Sequence, residues 1–290
     1  MIGSSERGNM LKRVGLLVRE KLVYGTALRA LCGLSSHGYT LVKVRVDDRV
    51  FSIYTHYEGL QVIHEVLYMR TYWRALELKP RVVVDVGAHV GTFTLLATHS
   101  ALKAHGEAHV VSVEPVSVNY RALLNNIEIN GLRRYVVPFK FAVAARPGIA
   151  EVEWLGIRER VRTSTMYEII DSIRERSDRI DIVNMDIEGA ELEVLTENND
   201  WLKYVDALVM ELHPWIYGIR GLLQILRALA EAGFRVTLVE TLVDSRRALI
   251  DSTKTLHPSP VLLTLMPWWT LVALTLRHHT LRYWLAVRSH

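Results

Sequence analysis

Four short stretches of this chain hold residue types that can do chemistry. Asp85, Gly87 and Gly91 stand in VVVDVGAHVGTFTLLA, residues 82–97. Gly87 can take backbone angles closed to other residues and lets a ligand approach the main chain. Gly91 opens a helix whose free N–H groups suit an anionic group. Asp85 ends the preceding strand, where it can orient the loop or accept from a ligand's ammonium. Glu114-Pro115 ends the next strand. A carboxylate there can accept two hydrogen bonds at once, which suits the paired hydroxyls of a ribose. Asp186 lies in NMDIEGAE, residues 184–191, and Glu211-Leu212-His213 ends a further strand. Asp186, His213 and Glu211 are the candidate bases for a bound hydroxyl, with the imidazole the best matched by its ordinary pKa.

The spacings exclude some chemistries. D-x-G-x-x-x-G is not the G-x-G-x-x-G of a dinucleotide site, so a nicotinamide or flavin is disfavoured. Glu188 and Glu191 enter a helix, and acids in a first turn ordinarily complement its dipole. Carboxylates at Asp186, Glu188 and Glu211 would suit magnesium or calcium. No ligand spacing specifies such a site, and no metal is expected. The one cysteine, Cys32, rules out a disulfide framework or a cysteine zinc site.

These stretches need elements to hold them. From Arg81 onward, short apolar strands at 82–86, 110–113, 136–141, 180–185, 207–212 and 235–239 are separated by helical patterns. That alternation predicts a parallel sheet covered on both faces, a doubly wound α/β fold with its ligand site beyond the strand carboxyl ends. Before it, 11–31 has helical spacing, 41–53 alternates like two strands turning at Asp47-Asp48, and 61–76 reads as helix. After it, 261–265 reads as a last strand and 268–287 as an amphipathic helix. The expected organisation is an accessory cap at 1–76, the α/β domain at 77–266 and a C-terminal helix at 267–290. Half the residues are hydrophobic and 23% charged, enough core for a globular protein.

Taken together, VVDVGAHVGTFT, VEP with Asn126 and Asn130-Gly131 downstream, TMYEIIDSI, MDIEGAELEVL and MELH resemble the FkbM-type methyltransferases that use S-adenosylmethionine (SAM). The resemblance spans roughly residues 66–240. It implies a Rossmann-like sheet, SAM as cofactor and methyl transfer to a hydroxyl, an activity of the EC 2.1.1 type. It implies SAM contacts at Asp85, Gly87, Gly91 and Glu114. Ala88, His89, Thr92, Pro115, Ala142 and Asp186 complete the expected cofactor-binding set. The family usually carries asparagine in place of His89 and lysine in place of Asn184.

The acceptor is expected to be a small molecule or glycan, a lipid-linked one included. Two other readings stay open, an RNA methyltransferase and a SAM-binding protein without catalysis. Nucleic acid is disfavoured, because the rim is acidic and no aromatic RNA-binding module is visible. A cytoplasmic setting is expected, and a homodimer is open. Trp268, Trp269, Tyr283 and Trp284 beside Arg277, Arg282 and Arg288 could seat a helix on the inner face of a membrane. Packing of that helix on the sheet or on a second subunit is the alternative.

Overall fold

The computed structural model describes residues 39–68, 72–154, 156–240 and 283–288. An antiparallel hairpin comes first, Thr40–Val46 (β1) and Arg49–Thr55 (β2), with Val44 opposite Phe51. Its turn has Asp47 in the left-handed region, φ 48°. The helix expected over 61–76 is broken into Tyr57–Ile63 (α1), a π turn at His64–Tyr68 and the single turn Trp73–Leu76 (α2).

The α/β alternation then runs as expected, with Val82–Val86 (β3), Thr92–His105 (α3), His109–Val113 (β4), Ser117–Ile129 (α4) and Val136–Phe139 (β5). A three-stranded side sheet follows, which the sequence reading did not anticipate. It comprises Ala142–Val143 (β6), Gly148–Trp154 (β7) and Ile157–Ser164 (β8), in the order β6-β8-β7. Helix Met166–Ile173 (α5), Ile180–Met185 (β9), Glu191–Thr196 (α6), Val205–Glu211 (β10), Pro214–Glu231 (α7) and Phe234–Glu240 (β11) complete the alternation.

The last described element corrects an expectation. Tyr283–Arg288 is a strand (β12), not the end of an amphipathic helix. It lies between β10 and β11 and is antiparallel to both. Tyr283 is 1% exposed and Trp284 9%. The Arg288 guanidinium donates to the carbonyls of Leu202, Val205 and Ala232. These three side chains are therefore taken up by the fold rather than offered to a lipid surface. The helix expected at 11–31, the strand at 261–265 and the rest of the C-terminal helix lie outside the described residues. Among the described residues no helix is long and apolar enough to cross a membrane.

The central sheet has the order β11-β12-β10-β9-β3-β4-β5. Strands β5, β4, β3, β9 and β10 are parallel. Every residue of β3 and β4 is buried, as a sheet with both faces covered demands. The chain leaves β3 for β4 on one side and returns to β9 on the other. That reversal opens a crevice beyond the carboxyl ends of β3 and β9, the usual ligand place in such sheets.

Two asparagines on α4 tie the hairpin to this frame. Asn126 accepts from the Tyr54 N–H at 2.6 Å and donates to the carbonyls of Tyr54 at 2.9 Å and Val90 at 2.7 Å. One turn on, Asn130 accepts from the Ser52 N–H and donates to the Ser52 carbonyl. The i, i+4 spacing places both amides on one helix face, where they serve β2 as a neighbouring strand would. Asn126 is fully buried, so losing it strands three backbone groups, each costing about 1–3 kcal/mol when unpaired. Asn126→Ala is expected to lower unfolding free energy by about 3 kcal/mol and Asn130→Ala by about 1 kcal/mol. Urea titration followed by tryptophan fluorescence would measure both.

Candidate functional site

Strand β3 delivers Asp85 to the crevice and ends at Gly87. Asp85 is fully buried. Its Oδ2 accepts from the Thr94 hydroxyl and its Oδ1 from the Asn184 amide at 2.8 Å. Burial pushes its carboxyl up to about 6, against the pull of those donors. Gly87 has φ 85°, and a Cβ there would lie 1.7 Å from the Asp186 carbonyl oxygen. Only glycine lets the β3 and β9 loops approach this closely. The N–H groups of Gly87 and Ala88 both donate to the Val113 carbonyl, which turns the loop towards β4. Gly91 (φ 88°) caps α3, and a Cβ there would meet Leu123 at 2.6 Å.

Strand β4 delivers Glu114, 4% exposed. Its Oε2 accepts from the His89 N–H at 2.8 Å and its Oε1 from the Val116 N–H at 2.9 Å. Asn119 adds a long contact of 3.5 Å. Burial pushes the Glu114 carboxyl up to about 7. His89 sits at φ 53°, a region that asparagine and histidine enter more readily than most side chains. Its ring meets those of His56 and Trp154, each at 5.1 Å between centroids. The His89 ring nitrogens and the Trp154 indole N–H are buried without a protein partner. Burial, then the neighbouring His56, holds the His89 imidazole down to about 3, so it is neutral.

Beyond β9 and β10 the polar groups crowd around one imidazole. His213, with a side chain 2% exposed, places Nδ1 2.9 Å from Glu191 Oε1. Its Nε2 lies 3.3 Å from Glu188, 3.7 Å from Asp186 and 3.9 Å from Glu211. Burial pulls the His213 pKa down, but hydrogen bonds to Glu188 and Glu191 and the charges of Glu191 and Asp186 outweigh it and push it up to about 10. That balance favours the imidazolium form of His213. Asp186 is raised well above the usual carboxylate range by burial and by Glu211, with His213 opposing. Its Oδ1 is buried without a hydrogen-bond partner. Asp186, Glu188 and His213 each bring one ligand atom within 4.8 Å of the others, a spacing that a cation could bridge. The imidazolium already supplies a positive charge there, and we assign no metal.

A cavity of about 470 Å³ joins these groups. Of the residues singled out in the sequence, Asp85, Gly87, Ala88, His89, Glu114, Pro115, Ala142 and Asp186 line it. Gly91 and Thr92 do not, since Gly91 packs on Leu123 behind the loop. Glu211 and His213 stand one layer further back, against Asp186. Asn119, Trp154 and Glu193 also line the cavity, and none was singled out beforehand. Trp154 had a signal, because 150–154 alternates small or apolar residues with acids. Asn119 had none, since its role depends on the turn that brings α4 back over Glu114.

Residues 85–236 match the family model described as the methyltransferase FkbM domain. A comparison with curated proteins finds no match. Among solved structures, Methyltransferase FkbM from Methylobacillus flagellatus KT aligns with a TM-score of 0.44 and 15% identity, over 72% of this chain and 44% of its own. This chain thus spans less than half the length of that protein. The O-methyltransferase from Bacillus cereus, solved with SAH, aligns with a TM-score of 0.47 and 13% identity over 80% of this chain and 89% of its own. The O-methyltransferase TomG from Streptomyces achromogenes, involved in tomaymycin synthesis and solved with SAM, aligns with a TM-score of 0.44 and 12% identity over 81% and 82%. With the glycine loop, the strand-end acids and more than half of its 290 residues inside the family match, the chain belongs to the FkbM methyltransferase domain family.

Proposed function

We propose that this protein transfers a methyl group from SAM to a hydroxyl oxygen of a sugar, a lipid-linked glycan or a small molecule. The observation that carries this reading is the single cavity with Glu114 and Gly87 on one wall and Asp186 on another. The residues present fit the cofactor. Each Glu114 oxygen keeps lone-pair capacity beyond its backbone donors, enough for two ribose hydroxyls. The Asn184 Oδ1 is buried without a protein partner beside Asp85, a place suited to an ammonium group. When bound, SAM supplies an electrophilic methyl on a cationic sulfur.

On the acceptor side, the raised pKa makes Asp186 a stronger base than a solvated aspartate. In this reading Asp186 takes the hydroxyl proton. The His213 imidazolium beside it favours the ionised carboxylate and holds it in place. Four acidic side chains gather around the one imidazole here, an arrangement that suits a cationic cofactor better than a phosphate-rich acceptor.

Three outcomes test the reading. Glu114→Ala is expected to weaken SAM binding by at least tenfold in calorimetry, from the loss of charged hydrogen bonds worth about 1.5–3 kcal/mol each. Unchanged affinity would remove the ribose role. Affinity should also depend on pH. Below about 7 the empty site holds a proton on Glu114, and binding two hydroxyl donors must expel it. SAM affinity is therefore expected to be full above pH 8 and to fall by up to about tenfold per unit below pH 7. Glu114→Gln should flatten that profile. Finally, methyl-labelled SAM offered with glycan and lipid extracts should label a hydroxyl-bearing product. Asp186→Asn should lower kcat for that product by about 10²–10⁴.

A further inference from the structure

Glu191 is the first residue of α6, a position where an acid needs only to face solvent to complement the helix dipole. Glu193, two residues on, does so and is exposed. Glu191 is instead fully buried. Its Oε1 accepts from the Ile187 N–H at 3.1 Å and the Gly189 N–H at 3.2 Å. The same oxygen meets His213 Nδ1 at 2.9 Å. Taking a carboxylate out of water costs several kcal/mol unless donors converge on it, and here three do.

The backbone between Asp186 and Glu191 is shaped to allow this. Glu188 sits at φ 52° and Gly189 at φ 104°, so the chain doubles back and aims two N–H groups at the carboxylate. A Cβ on Gly189 would lie 2.8 Å from Ile216 on α7. The turn carrying Asp186 is thereby packed against the helix start carrying His213. Glu191 bridges the same two segments by hydrogen bonds.

We propose that Glu191 is a positioning residue for methyl transfer, fixing the His213 ring so that Nε2 faces Asp186. The proposal rests on the reading of Asp186 as the acceptor's base and of His213 as the group behind it. An oxygen that already accepts from two N–H groups is matched by a donor at Nδ1, which sets the ring's orientation. The other groups facing the ring are Asp186, Glu188 and Glu211 near Nε2. The Trp215 ring lies 4.9 Å away, and the Tyr217 hydroxyl accepts from the His213 backbone N–H. Glu191 is the carboxylate that Nδ1 meets, at 2.9 Å, and the orientation is read from that contact.

The first test needs no acceptor. Full-length protein labelled with ¹⁵N-histidine gives ring-nitrogen shifts, and the His213 signal is the one lost in His213→Ala. The wild type is expected to show a protonated, hydrogen-bonded Nδ1 at pH 8. Glu191→Gln, which keeps the shape and removes the charge, should shift that resonance. An unprotonated Nδ1 in the wild type, or identical spectra in both, overturns the proposal even if the variant folds poorly. The second test uses the labelled-methyl assay with the extract acceptor. Glu191→Gln should lower kcat tenfold or more with SAM affinity within twofold, and add nothing in a His213→Ala background. Equal losses in both backgrounds mean a role that does not run through His213. Should the wild type methylate no acceptor at all, the functional reading fails while the spectra still decide whether Glu191 orients the ring.

Discussion

Acidic side chains gathered at one end of the sheet are the constraint that the rest of the structure answers. Asp85, Glu114, Asp186, Glu191 and Glu211 are wholly or largely withdrawn from solvent at or beyond the ends of β3, β4, β9 and β10. Carboxylates out of water are costly unless donors or cations compensate. Each region around the crevice supplies a different compensation. Thr94 and Asn184 serve Asp85 with neutral donors, the backbone of the glycine loop serves Glu114, and the His213 ring meets Glu191. The left-handed residues at His89, Glu188 and Gly189 follow from the need to aim N–H groups inward. Local backbone strain is thus tied to solvation of the acids.

This arrangement also explains why the two walls of the cavity differ. Around Glu114 the donors are fixed main-chain groups, so the carboxylate is held rigidly but remains able to accept more. Around Asp186 the environment is ionic, and its charge state responds to whatever enters. The proposed reaction, which binds a cationic cofactor and removes a proton, benefits from that division. The rigid wall suits recognition, and the responsive wall suits proton transfer.

Much of this was legible in the sequence. Strands β3, β4, β9 and β10 announce themselves as short apolar runs, and the acids at their ends fall where a doubly wound sheet must place ligand contacts. What stayed hidden depended on contacts distant in sequence. Glu191 reads as an ordinary first-turn acid because His213 is 22 residues away. The imidazole reads as the better base because nothing local shows four carboxylates around it. Asn126 and Asn130 count as motif residues in the sequence, and only the hairpin packed on α4 gives them a structural reason. No apolar run announces the side sheet β6-β8-β7, because β8 carries arginine at every second position from Arg158 to Arg162.

Strand β12 carries a consequence for how the molecule assembles. It pairs with both β10 and β11, and Glu211 of β10 lies opposite Tyr283, about 70 residues later in the chain. Until that late segment arrives, β10 presents an apolar edge with unpaired N–H and C=O groups, the kind of edge that recruits strands from other molecules. Closing so long a loop is entropically slow. The carboxyl end of β10 also carries Glu211, next to His213. Completion of the sheet and the covering of Glu211 are therefore linked, and a nascent chain would reach both only after β1 to β11 had been made.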